Sequence, residues 1–409
     1  MYRDLTGDYV GGQPSAFVSE EGARVLLVGD PHLENLSSQV DEQGGLYLDW
    51  DDFDSAGYGP WLWDLRRLAL SWWLVSFELE ERALAPQLIA SLVRGYEQGA
   101  RGEEGRALHE SRASLPLVRS FFQGVRSRWY EGALFKRYLT EEGGQVRLRR
   151  GEVRAPEQEG VIKDQLSVVE GRERDLVERL IARLQRARPA LGRLKDVARK
   201  YGQGVSSYPL MRYLALFEGQ EEGATGDELW ELKELADAPR TLGVNLTPLR
   251  AFSDVGERVL GARRALQWGD ASSPQGELPC VSVALGDLTF QARRRSDLLR
   301  GVSFDELIAP YQSAPDEEAR QERVAELTEL ARLTGALLGG AHARATTYTG
   351  EGGGEVIRRD LSRAPLDVLI HETTQFSLSY GEQLIVDQAL LTELIEERGP
   401  LLGFQSEEF

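Results

Sequence analysis

Asp30, Asn35 and Asp49 are the residues whose types and spacing could do chemistry. Asn35 follows Asp30 by five positions in GDPHLENL, and Asp49 follows Asn35 by fourteen in LYLDWDDFD, where Asp51, Asp52 and Asp54 crowd the same stretch. Phosphoryl transfer to a hydroxyl needs such a set: an Asp that accepts or orients the hydroxyl, an Asn five residues on that holds one Mg²⁺, and an Asp on the next strand that holds Mg²⁺ against nucleotide phosphates. Positioning and charge neutralisation supply most of that catalysis, so a few polar groups on rigid supports suffice. Mg²⁺ takes oxygen ligands, usually one or two carboxylates plus substrate phosphates, and the expected metal set is Asn35, Asp49 and Asp51. Any one of these residues alone reads as an ordinary member of an acidic turn; together, at strand ends, they favour chemistry. His32 lies in the same loop, able to orient Asp30 or simply to pack.

The elements around these residues follow from hydrophobic pattern. Val25 to Val28 predicts a short buried strand, and Gly29 allows a sharp turn into the Asp30 loop. Leu46 to Leu48 predicts the strand that delivers Asp49. From Trp61, Leu62, Leu65, Ala69 and Trp72 recur at helical spacing, with Arg66 and Arg67 off that stripe and Trp61, Trp63, Trp72 and Trp73 as core. Asp64, at the start of this helix, is expected to bond backbone near the Asp30 loop. Pro86 predicts the opening of a second helix. Residues 100–170 read as helical pieces broken by glycines, with a loop or hairpin at Glu141 to Val146, and 168–190 as a charged helix over a Leu/Ile seam. Tyr213 to Phe217, Leu229 to Lys233, Val281 to Leu285 and Leu288 to Ala292 predict strands, the last two turning at Gly286-Asp287. A long helix is predicted from Pro315 to Arg344, where His342 and Arg344 would cap its negative end. Residues 360–400 read as helical again.

Composition narrows the class. The 409 residues carry a net charge of −18, which argues against a nucleic-acid footprint and against an anionic membrane surface as partners. One cysteine, Cys280, leaves no internal disulfide framework, and four histidines leave little for a histidine-built zinc site. With no signal-like opening and no apolar stretch of spanning length, the expectation is a cytoplasmic protein.

The segments GDPHLENL, LYLDWDDFD and GPWLWDLRRLA resemble the bacterial DUF2252 family, and DVARKYGQGVSSYPLMRYLALFEG, ELWELKEL, GERVLGARRALQ and GAHARA are similar to its later segments in the same order. That family in turn resembles the protein-kinase-like superfamily, above all its aminoglycoside and choline phosphotransferase branch. The resemblance implies an α+β fold with two kinase-like lobes; it brings no known substrate.

A kinase-like protein also needs a small β-rich lobe that covers the nucleotide, and the 29 residues before Asp30 are too few to build one. The missing parts occur later. Gly202-x-Gly204-x-x-Ser207 is a candidate phosphate loop, departing from the usual pattern by a serine in place of the third glycine. Lys233 is placed like the phosphate-pairing lysine, and Glu257 like its ion-pair partner. The expected organisation is therefore a circular permutation: residues 1–194 as the first part of the catalytic lobe, 195–300 as the nucleotide-covering lobe, and 301–409 as the helical remainder.

The expected function is an ATP- and Mg²⁺-dependent phosphotransferase acting on a hydroxyl. The lack of an arginine directly before Asp30 leans toward a small-molecule acceptor. A non-catalytic nucleotide-binding scaffold and an AMP transferase are the alternatives. A metallophosphoesterase, suggested by Asp30-x-His32 after a strand, fails on inventory, since none of His109, His342 and His371 follows an asparagine.

Overall fold

A computed structural model describes residues 15–41, 43–103, 108–154, 162–201, 210–219, 226–236, 252–269 and 280–402. In chain order these form strands β1 (Val25–Leu27), β2 (Leu36–Val40), β3 (Leu46–Trp50) and β4 (Gly57–Gly59), helices α1 (Trp61–Glu78) and α2 (Ala85–Ala100), and strand β5 (Leu108–His109). Helices α3 (Pro116–Glu131) and α4 (Ala133–Tyr138) precede strands β6 (Leu139–Glu142), β7 (Gln145–Leu148), β8 (Gly151–Arg154) and β9 (Ile162–Val168). Helix α5 (Gly171–Ala187) leads to β10 (Leu194–Tyr201), β11 (Arg212–Phe217) and β12 (Glu228–Glu234). After helix α6 (Val255–Trp268) come β13 (Cys280–Leu285) and β14 (Leu288–Arg294), then helices α7 (Phe304–Gln312), α8 (Glu317–Arg344), α9 (Gly353–Leu361) and α10 (Leu366–Leu402). The class is α+β, as expected. No described helix is long and apolar enough to cross a membrane.

The chain divides into two compact units, one of Met1–Gly124, Asp237–Glu277 and Arg300–Asp387, the other of Val125–Ala236, Leu278–Leu299 and Gln388–Phe409. These boundaries differ from the expected 1–194, 195–300 and 301–409. The sheet begins well before residue 195, and α6 belongs with the first unit because its side chains bind that unit's loops: Arg258 donates to the carbonyls of Asp54 and Ala56 at 2.8 and 2.7 Å, and Gln267 to that of Trp50 at 2.6 Å.

In the first unit, β1 pairs antiparallel with β4, and β3 lies between β2 and β5. Helix α1 carries the core: Trp61, Leu65, Leu68, Ala69 and Trp72 have no exposed surface. Its tryptophans are also bonded outward, Trp61 Nε1 donating to Asp360 at 3.0 Å and Trp72 Nε1 to Thr334 at 3.1 Å. Each buried aromatic of this size contributes about 1.5–3 kcal/mol through burial alone. Arg66 departs from the expected exposed face: it is buried, with its guanidinium 5.0 Å from the centre of the Phe376 ring.

Helices α2 and α8 pack backbone to backbone through glycines. A Cβ on Gly99 would stand 2.1 Å from the Ala336 carbonyl oxygen, and one on Gly335 would stand 2.1 Å from that of Leu92. Helix α8 begins where Asp316 accepts the Ala319 N–H at 2.9 Å, one residue from the predicted start at Pro315.

In the second unit a seven-stranded sheet runs β13-β14-β12-β11-β10-β9-β8, with described pairs antiparallel. One face packs Tyr213, Ala215, Phe217, Trp230 and Leu232 against Val177, Leu180, Ile181 and Leu184 of α5. The opposite face packs Leu214, Leu216 and Leu229 against Leu134, Tyr138, Leu139 and Leu148. The expected hairpin at Glu141 to Val146 is the β6–β7 pair, with Glu141 opposite Val146, while the helical reading of the segment after it gives way to strands β8 and β9. Gly143, Gly144 and Gly151, with φ of 59°, 77° and 86°, supply the left-handed turns between charged, half-exposed strands that lack a clear apolar alternation.

Candidate functional site

The Asp30 loop is held from beneath. Asp64, in the first turn of α1, accepts the backbone N–H of Val28 at 2.7 Å and of Gly29 at 3.2 Å. Its buried carboxylate also meets His342 Nε2 at 3.0 Å, while His342 Nδ1 meets the Tyr96 hydroxyl at 2.9 Å. Burial raises the Tyr96 phenol well above its ordinary range, with Asp64 and Asp360 adding to it, so the hydroxyl keeps its proton. A carboxylate only accepts, so His342 Nε2–H donates to Asp64 while Nδ1 pairs with the Tyr96 hydroxyl, and the imidazole is held at both ends. The expected backbone role of Asp64 agrees with this geometry. The expected capping role of His342 does not, because the imidazole is fully buried and spent on Asp64 and Tyr96. Arg344 donates through Nε to the Leu266 carbonyl of α6 at 2.9 Å, so it serves another helix's end.

Gly29, at φ 97°, makes the turn into the loop, with the Ser55 carbonyl where a Cβ would sit. Asp30 then presents a half-exposed carboxylate, and Arg67 Nε donates to its Oδ1 at 2.6 Å. Its Oδ2 lies 3.9 Å from His32 Nε2. Burial lowers the pKa of His32, and Arg67 works in the same direction against the pull of Asp30.

Asn35 joins this loop to the acidic one. Its Nδ2 donates to the carbonyls of Asp30 and Asp52, both at 3.0 Å, and its Oδ1 accepts the Asp52 N–H at 2.7 Å. Its backbone carbonyl accepts the Asp51 N–H at 3.0 Å. The amide thus acts as a clamp between two backbones, and a metal would have to share Oδ1 through its second lone pair.

Asp49 sits opposite Ser37 in the β2–β3 hairpin and is 2 % exposed. Burial pushes its pKa up to about 6, against Arg344, Arg263 and the Trp50 N–H, while Asp51 reinforces the rise. Asp51 Oδ1 accepts from Gln39 Nε2 at 3.1 Å, and Gln39 in turn accepts from Arg263 at 3.4 Å. A buried carboxylate that resists ionisation beside a second carboxylate suits a divalent cation, whose charge would stabilise both. Among the described residues no group of three or more His, Cys, Asp or Glu side chains has metal-holding geometry.

The residues expected to hold nucleotide are distributed differently. Gly202, Gly204 and Ser207 lie outside the described residues. Lys233 is half-buried on β12, opposite Arg212 of β11 and Gln291 of β14. Glu257 is exposed in the first turn of α6, where its carboxylate accepts the Ser253 N–H at 2.6 Å, a bond that lowers its pKa. With Asp254 accepting the Glu257 N–H at 2.8 Å, this is a reciprocal cap on the helix start. The sheet holds a buried lysine–glutamate pair elsewhere: Lys200 Nζ to Glu231 Oε1 at 3.0 Å. Sequence reasoning missed Arg67, Lys200 and Glu231. Arg67 was legible only as a residue one turn beyond Asp64, and the Lys200–Glu231 pair depends on strand order that no local pattern announces.

A model of the family described as an uncharacterized protein conserved in bacteria (DUF2252) matches residues 1–393, and the chain belongs to that family. No curated protein matches the chain, and no solved structure does.

Proposed function

We propose that this DUF2252 protein is a kinase-like phosphotransferase that uses ATP and Mg²⁺ to phosphorylate a hydroxyl of a small-molecule acceptor. The observation that carries this reading is the Asn35 clamp, which ties the loop of Asp30 to the loop following Asp49 through three side-chain hydrogen bonds. Such a clamp gives a base and a metal-binding carboxylate one rigid frame.

Each residue then has a task. Asp30 accepts the acceptor's hydroxyl proton through Oδ2, while Arg67 fixes its other oxygen and so its orientation. Asp49 and Asp51 would hold Mg²⁺, with Asn35 sharing its Oδ1, and Mg²⁺-bound ATP would supply the phosphoryl group. The circularly permuted order of kinase-like lobes belongs to the same proposal, as does a cytoplasmic setting.

A nucleotide-binding protein without turnover is the second reading, favoured by the commitment of the Asn35 amide to main-chain groups. Isothermal titration of the full chain with ATP and Mg²⁺, beside an assay for ADP across a panel of small hydroxyl acceptors, separates the two. Binding with ADP release that an acceptor stimulates supports transfer. Binding without product favours the second reading, and no binding overturns both.

A further inference from the structure

A cavity of about 410 Å³ lies in the second unit, between the first turns of α5, the start of β10 and the connection from β7 to β8. Its apolar wall comes from Val169 and Val177 on the α5 side and from Leu194 and Val197 on β10. Leu194 and Val197 pack against the α5 core yet remain half-buried. Val168, the last residue of β9, also lines the cavity and keeps 57 % of its surface exposed. Small-molecule sites are clefts of about 300–1,000 Å³ with apolar walls and a few placed polar groups.

The polar lining is arranged by charge. Arg150 is held in place, its Nη1 donating to the Leu148 carbonyl at 2.8 Å and its Nη2 to Asp196 Oδ1 at 2.8 Å and to the Val197 carbonyl at 3.1 Å. Asp196 also accepts the backbone N–H groups of Leu148 at 2.9 Å and Val197 at 2.8 Å, so its carboxylate is spent within the wall. The Arg150 Nε–H is buried and has no acceptor among the described residues. Buried donors left unbonded are uncommon, and one on a residue that lines a cavity points to an acceptor brought by a ligand. Arg174 reaches Glu178 at 3.2 Å, a pair too exposed to hold either side chain firmly. Arg147 is exposed and bonds the neutral amide oxygen of Gln145 at 2.9 Å, with no carboxylate in ion-pair distance among the described residues. Three arginines and two carboxylates thus line the cavity, a surplus of one positive charge in a chain whose net charge is −18.

We infer that this cavity binds a small amphipathic carboxylate, with its apolar body against Val169, Val177, Leu194 and Val197 and its single carboxylate at Arg147 and the Nε–H of Arg150. A guanidinium matches the two oxygens of a carboxylate, and the apolar wall rewards a body that small hydrophilic anions lack. The site lies wholly in the second unit and is independent of phosphoryl transfer at Asp30.

The test is isothermal titration of the full chain with octanoate, 1-octanol and acetate. Octanol offers the body without the charge, and acetate the charge without the body. Octanoate should bind one per chain and at least tenfold more tightly than either. Arg147→Gln should weaken octanoate about tenfold while leaving octanol unchanged, and Val168→Asp, at the exposed rim, should weaken it at least as much. Both positions are exposed, so neither substitution threatens the fold, and an unchanged melting midpoint confirms it. Arg183→Gln, on α5 but outside the cavity lining, should leave binding as it was. Octanoate binding no tighter than octanol or acetate, binding at many equivalent sites, or undiminished binding in both Arg147→Gln and Val168→Asp would overturn the inference.

Discussion

Asp64 and His342 meet at 3.0 Å in the interior of the first unit, joining the helix that follows the Asp30 loop to the last turn of α8. Through Asp64 this contact reaches the backbone of Val28 and Gly29, so the position of Asp30 depends on a helix far along the chain.

Removing that carboxylate strands two buried N–H groups and one imidazole N–H. An unsatisfied buried donor costs about 1–3 kcal/mol, so Asp64→Ala should lose about 2–5 kcal/mol in urea unfolding. His342→Gln should lose less, because the backbone bonds to Asp64 survive. A cost below 1 kcal/mol for Asp64→Ala would contradict the assignment.

The glycine contact between α2 and α8 brings Tyr96 to His342. In an exposed helix Gly→Ala gains up to about 1 kcal/mol. Gly99→Ala and Gly335→Ala should instead destabilise by about 1–3 kcal/mol, because backbone carbonyls already occupy the space a methyl would need. Thermal or denaturant midpoints decide the sign.

Asp49 ought to trade stability for function. Its folded pKa, about 6, lies above the ordinary 3.8, so the folded state binds the proton more tightly than the unfolded one. Stability from this group is present at low pH, declines as pH rises from about 4 through 6, and is fully lost above that, an effect of about 3 kcal/mol at 1.36 kcal/mol per unit. Asp49→Asn keeps an acceptor for the Trp50 N–H and carries no charge. It should raise the urea midpoint at pH 7.5 more than at pH 4.5, and it should abolish phosphotransfer.

Glu231 has the opposite sign. Its folded pKa is held down, so its contribution is complete above the ordinary carboxylate pKa near 4.5 and is lost as pH falls through the lowered folded value. Glu231→Gln should cost about 3–5 kcal/mol at pH 7, since it leaves Lys200 buried without its counter-charge. The gap between variant and parent should narrow below pH 4.5.

Much of this architecture was legible locally. The β1 strand, the α1 and α8 helices and the hairpin at Gly286 follow from apolar spacing and turn residues, and Asp64 was readable as a backbone ligand from its place beside the loop. Other features depend on long-range packing. Arg66 falls off the apolar stripe yet is buried, because Phe376 stacks on its guanidinium. Strands β8 and β9 are too polar to alternate clearly. His342 reads as a helix-end cap until its bond to Asp64 is seen, and the Lys200–Glu231 pair joins strands separated in the sheet by β11.

The central claim is that this chain holds Mg²⁺-ATP for transfer at Asp30. A crystal soaked with a non-hydrolysable ATP analogue and Mg²⁺ tests it most directly. The account predicts the metal on Asp49 and Asp51 and the terminal phosphate within reach of Asp30. Analogue bound away from Asp49 and Asp51, or no analogue bound at saturating concentration, would contradict it.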